Sequence, residues 1–124
     1  MKRYTLLALS VLVTLTFIAC SPVQQSEALT NEEAKQKIDS GEVTVLDVRT
    51  KEERAAGYIQ ESVSIPLDEL ENRMDDLDKN KTYIVVCQTG SKSPQAAALM
   101  INNGFTEVSY LKSGMSGWSY PLEN

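Results

Sequence analysis

Apolar and polar positions along this chain follow two alternating rhythms, one helical and one extended. Thr30-Asn31-Glu32-Glu33 has the spacing of a capping box, in which Thr30 caps a helix and Glu33 reaches back to it. That helix carries Ala34 and Ile38 on one face and stops near Ser40-Gly41. Val43 to Val48 is a β-branched apolar run, the pattern of a buried strand. Thr50 to Glu53 repeats the capping-box spacing and opens a short helix that Gly57 closes. Ser62 to Ile65 is a short strand ended by Pro66. Leu67, Leu70, Met74 and Leu77 then recur at spacings of three, four and three, predicting an amphipathic helix with acids on its outer face. Lys81 to Val86 is the clearest strand, and it runs directly into Cys87. Pro94 to Asn102 predicts an Ala-rich helix with proline in its first turn, closed by Asn103-Gly104. Val108 to Leu111 is a last strand, followed by a glycine-punctuated tail around Trp118. Strands alternating with helices predict an α/β fold with a largely parallel sheet.

Composition narrows the chemistry. The 124 residues leave room for one domain, and 42% hydrophobic with 23% charged residues is an ordinary globular mixture. The net charge of −5 argues against a nucleic-acid partner, which would call for a basic face. There is no histidine. Ser-His-Asp triads, Cys-His dyads and His-containing zinc sites are therefore excluded, and any nucleophile must be activated by other means. No metal or other cofactor is expected. Two cysteines, Cys20 and Cys87, look at first like one disulfide.

The N-terminus changes that picture. Met1-Lys2-Arg3 is a short basic start, and Tyr4 to Ala19 runs without a charge, the pattern of a secretory signal. Phe17-Ile18-Ala19-Cys20 resembles a bacterial lipobox, whose cysteine is lipidated and begins the mature protein, although Leu is usual where Phe17 stands. An uncleaved membrane anchor is disfavoured because a spanning helix needs about 20 apolar residues. The expected organisation is a signal peptide at 1–19, a lipidated tether at 20–27 and one domain at 28–124. The protein is then exported and held by the Cys20 lipid to a membrane, facing either a periplasm or the outer cell surface. With Cys20 lipidated, Cys87 becomes a lone thiol outside the cytoplasm, where unpaired cysteines are normally avoided.

Cys87-Gln88-Thr89-Gly90-Ser91-Lys92-Ser93 lies between a strand and a helix N-terminus. In parallel α/β sheets, ligands bind beyond the carboxyl ends of the strands. Free backbone N–H groups and the positive end of the helix dipole make such a loop an anion site, and the same field favours thiolate over thiol. Gly90 permits positive φ, so that successive amides can face one centre. Lys92 adds a full positive charge, and the hydroxyls of Thr89, Ser91 and Ser93 add donors. Such a loop suits an anion that hands an atom to a thiolate. The competing reading is that Cys87 is simply the last buried residue of its strand.

Four segments in order resemble a single-domain rhodanese from about Leu29 to the end. Leu46-Asp47-Val48-Arg49, with Glu52-Glu53 shortly after, resembles the family's D-V-R-x-x-x-E segment, and Gly57-Tyr58-Ile59 through Ile65-Pro66 resembles its G-H-I-x-G-A-x-x-I-P segment. Cys87 to Lys92 resembles the six-residue active loop, and Leu111 to Trp118 the L-x-G-G-x-x-x-W tail. The resemblance implies a central five-stranded sheet with helices on both faces. It implies Cys87 as catalytic residue, with Gln88, Thr89, Gly90, Ser91, Lys92 and Ser93 binding substrate. The implied activity moves sulfane sulfur from a small anionic donor, thiosulfate or a polysulfide, to cyanide or a thiol, through a persulfide in a monomer. Tyr58 stands where the family usually has His, Glu61-Ser62 replaces Gly-Ala, and Gln88 replaces an Arg often found beside the cysteine.

Asp47 and Arg49 read as a structural ion pair at a strand end, with Arg49 within reach of the site. Trp118 reads as core, and Gly114 and Gly117 as turns. Cysteine phosphatases and arsenate reductases need a loop one residue longer, ending in arginine; Ser93 stands there, and no arginine follows Arg73. Thiol–disulfide exchange lacks its Cys-x-x-Cys. The alternative from a different class is a non-enzymatic sulfur carrier or partner-binding module.

Overall fold

The computed structural model describes residues 25–124. Five strands, β1 (Glu27–Leu29), β2 (Val43–Asp47), β3 (Val63–Ser64), β4 (Thr82–Val86) and β5 (Glu107–Leu111), form one sheet in the order β1-β5-β4-β2-β3. Every pairing in it is parallel. The connections are α1 (Asn31–Asp39), α2 (Lys51–Ala55), α3 (Leu67–Leu70) and α4 (Ser93–Asn102), with 3-10 turns at Glu71–Asp76 and Met115–Gly117. No helix among the described residues is long and apolar enough to cross a membrane.

Both capping boxes form. The Thr30 hydroxyl accepts the Glu33 amide at 3.2 Å, and the Glu33 carboxylate accepts the Thr30 amide at 2.9 Å. Those hydrogen bonds, the backbone one foremost, hold the Glu33 carboxyl below its ordinary value. The α1 cap is thus complete at neutral pH and is lost only as pH falls through that lowered value. Thr50 and Glu53 repeat the arrangement at the start of α2.

The sheet has helices on both faces because side chains alternate along each strand. Leu46, Tyr83 and Val85 pack with Leu70, Met74, Ala96, Ala97, Met100 and Phe105 under α3 and α4. Val45, Ile84 and Val86 pack on the other face with Leu29, Leu111, Met115 and Ala34 of α1. The central strands β2 and β4 are therefore buried on both sides, as their near-continuous apolar runs require.

Two elements differ from the sequence expectation. The helix expected from Leu67 to Leu77 is a single α turn followed by a 3-10 segment, with a kink at Arg73 (φ −119°, ψ 16°) and extended backbone at Leu77. A spacing of three at each end of that run fits three-residue turns as well as an α-helix, and Leu70 and Met74 reach the core either way. Strand β1 begins at Glu27, one residue before the expected domain start, and pairs with Ser109 to Leu111.

Parallel pairing has one consequence for chemistry. All five carboxyl ends lie along the same edge, where Val48, Cys87 and Lys112 emerge.

Candidate functional site

Strand β4 carries the chain out of the core to Cys87, which is only 2% exposed. The loop turns back at Gly90, at φ +84°, and the Gly90 amide donates to Cys87 Sγ at 3.1 Å. The positive end of that N–H thus points at the sulfur, where a thiolate would carry its charge. Helix α4 starts at Ser93, so the loop also sits at the N-terminal end of a ten-residue helix.

The tail after β5 holds this loop in place. Met115 donates its amide to the Cys87 carbonyl at 2.8 Å, and Ser116 donates to the Gln88 carbonyl at 2.9 Å. In a trans peptide the N–H lies opposite the C=O. Carbonyls turned to the tail therefore aim the Gln88 and Thr89 amides away from it. Contact is close enough to demand two glycines. A Cβ on Gly90 would strike the Lys112 carbonyl oxygen, and one on Gly114 would strike the Gly90 nitrogen and come within 2.7 Å of the Gln88 carbonyl oxygen.

Beside the thiol is a hollow of about 70 Å³ lined by Val48, Arg49, Glu53, Cys87, Gln88, Thr89, Ser91 and Lys92. Arg49 anchors its wall. The guanidinium is 4% exposed and bonds Asp47, itself 1% exposed, at 2.8 Å, with Arg54 on the same carboxylate at 2.9 Å. Arg49 Nη1 then reaches Gln88 Oε1 at 3.2 Å. A buried carboxylate shared by two arginines satisfies the requirement that buried charge be paired. It also ties the end of β2 to the reactive loop. Asp47 pairs with both Arg49 and Arg54, so this cluster keeps one net positive charge, with Lys92 as the exposed cation at the rim and Glu53 as the carboxylate opposite in sign. Among the described residues no group of carboxylates and thiol is placed to hold a metal ion.

Of the residues singled out by sequence, Cys87, Gln88, Thr89, Ser91 and Lys92 share the hollow, and Gly90 contacts the sulfur. The Thr89 and Ser91 hydroxyls bond each other at 3.0 Å. Ser93 is placed differently. It is fully buried in the first turn of α4, off the hollow, and its hydroxyl has no hydrogen-bond partner. Asp47 and Arg49 form the expected ion pair, Trp118 is half-buried against the second core cluster, and Gly114 is a buttress of the loop as well as a turn. Cys20 lies outside the described residues. Glu53, read from the sequence as a cap partner on a solvated face, also lines the hollow, and Gly114, read as a turn, also braces the loop. The signal for both was present in the D-V-R-x-x-x-E and glycine-tail segments.

Fold and site together define a parallel α/β domain that presents Cys87, the one cysteine among the described residues, in a loop at the carboxyl edge of its sheet. The model of the rhodanese-like domain family matches residues 30–120, and the chain belongs to that family. It is 30% identical over 81 residues to a sulfurtransferase of Allochromatium vinosum, covering 65% of this chain and 76% of that protein. It is 39% identical over 90 residues to YrkF of Bacillus subtilis, named as a candidate sulfur carrier protein. That match covers 72% of this chain but spans about half, 49%, of YrkF. Among solved structures, a rhodanese-like domain protein of Staphylococcus aureus superposes with a TM-score of 0.72 at 33% identity, covering 78% of this chain and 96% of that one.

Proposed function

We propose that the protein is a sulfurtransferase that carries sulfane sulfur as a persulfide on Cys87. The observation that carries this reading is the Gly90 amide held 3.1 Å from Cys87 Sγ at the mouth of a small polar hollow. The Cys87 thiolate attacks the outer sulfur of thiosulfate or a polysulfide, the donor's S–S bond breaks, and sulfite or a shorter chain leaves with the electron pair. A cyanide ion or thiolate then attacks the outer persulfide sulfur, and Cys87 leaves as thiolate. Loop amides and Lys92 stabilise the charge throughout. Gln88, Thr89 and Ser91 shape the donor pocket.

A second reading, a carrier that receives its sulfur from a protein or low-molecular-weight persulfide, is favoured by one observation. Glu53 puts a carboxylate in the same hollow as Lys92, which works against the binding of a dianion. In either case the Cys20 lipid would tether the domain to the cell envelope.

The test is to incubate the full-length protein with thiosulfate or polysulfide and determine its intact mass. The expected result is gain of one sulfur atom in wild type and none in Cys87→Ser. No gain from any sulfane donor would overturn the proposal.

A further inference from the structure

The hollow at Cys87 does not open onto a plain surface. Val48 and Lys92 also form one end of a much larger groove, about 790 Å³, between α3 and α4. Pro66, Leu67, Ala98 and Leu99 provide its apolar surface. Gln95 and Asn102 stand exposed along α4, and Asp68 and Glu71 stand exposed on the opposite bank. Lining residues from Lys92 to Asn102 follow the whole of α4, a length of roughly 15 Å. That is far more than a donor of a few atoms needs, and it matches about four or five residues of extended peptide.

The charges say what kind of peptide. Two nearby acids outside the groove share one cation, Glu69 and Asp76 both pairing with Arg73. Asp68 and Glu71, inside it, have no ion-pair partner among the described residues. Leaving out Lys2 and Arg3, residues 25–124 carry 10 basic and 17 acidic side chains, a net −7. The groove therefore attracts cations in a field of the same sign, while its far end, at Lys92, meets the reactive sulfur. Exposed amides on α4 suit the backbone of an extended segment.

Building on the persulfide reading above, we propose that the acceptor is a cysteine of a partner protein, presented on an extended basic segment that lies along the α3–α4 groove. The partner's thiolate attacks the outer sulfur of the Cys87 persulfide. The new S–S bond forms on the partner cysteine, the old one breaks, and Cys87 leaves as thiolate, with the outer sulfur keeping its proton. Basic side chains seat against Asp68 and Glu71, and the segment's apolar side chains cover Leu67 and Leu99.

The experiment uses full-length protein loaded with polysulfide and three five-residue acceptors, Lys-Ala-Lys-Ala-Cys, Gln-Ala-Gln-Ala-Cys and Glu-Ala-Glu-Ala-Cys, blocked at both ends. The readout is the rate of sulfur transfer to each at low salt. The lysine peptide is expected to outpace the glutamate peptide at least tenfold, and Asp68→Asn with Glu71→Gln to cut that advantage to about twofold without changing the loading step. Equal rates for the three peptides, or a preference undiminished in the double variant, would overturn the proposal. Failure of wild type to load sulfur would instead refute the persulfide reading. The groove is then decided by calorimetric titration of the same peptides with serine for cysteine. Binding of the lysine peptide that is lost in the double variant supports the groove, and no binding overturns it.

Discussion

Lys92 and Glu53 line the same small hollow with opposite charge, and this opposition sets how the site treats an anion. Glu53 owes its place to the α2 cap, where it accepts the Thr50 amide at 3.2 Å. Glutamine satisfies a capping box as well as glutamate does, so Glu53→Gln removes the charge and keeps the helix start. Lys92 is exposed and makes no side-chain cap, so Lys92→Ala removes charge without unravelling α4. Steady-state kinetics with thiosulfate should show a KM raised roughly fivefold in Lys92→Ala and lowered by a similar factor in Glu53→Gln, both effects shrinking as salt rises. An unchanged KM in both variants would remove these charges from donor binding. Arg49 shows where residue-level reading stops. Its pairing with Asp47, two positions away, is visible in sequence. Its bond to Gln88, 39 positions away, depends on strand register, because pairing of Asp47 with Val86 is what brings the ends of β2 and β4 together.

At the scale of elements, the reactive loop is a two-part assembly, with β4 and α4 carrying the thiol and the tail after β5 fixing its backbone. Gly114 sits at φ +67° with extended ψ, a region open essentially to glycine, and a Cβ there would collide with three backbone atoms of the loop. Gly114→Ala should therefore shift the loop away from the tail. The expected outcome is a sulfur-loading rate down at least tenfold with a thermal midpoint lowered by several degrees, read by intact mass and calorimetry. Wild-type values for both would show that the tail does not hold the loop. The helix starts were legible because capping is local: Thr30 with Glu33 and Thr50 with Glu53 need no tertiary partner. The break in the segment after Leu67 was not, since its apolar spacing serves α and 3-10 turns equally and tertiary packing makes the choice.

For the whole molecule, alternation of buried strands with helices made the parallel sheet legible, and the cysteine at the end of its clearest strand marked the site. Strand β1 escaped because Glu-Ala-Leu has no periodicity to read and contributes a single buried side chain, Leu29. The anchoring proposal belongs at this scale. Cys20→Ala should abolish fatty-acid labelling and release the protein from the membrane fraction, and equal labelling of both forms would end that proposal. Because β1 runs parallel to β5, the chain enters the domain at the amino edge of the sheet, whereas Cys87 leaves from the carboxyl edge. A domain held by its N-terminus is thus held from behind. With the proposed lipid on Cys20, the domain would be gripped like a ladle by its handle, and the edge that carries the Cys87 hollow would face away from the membrane.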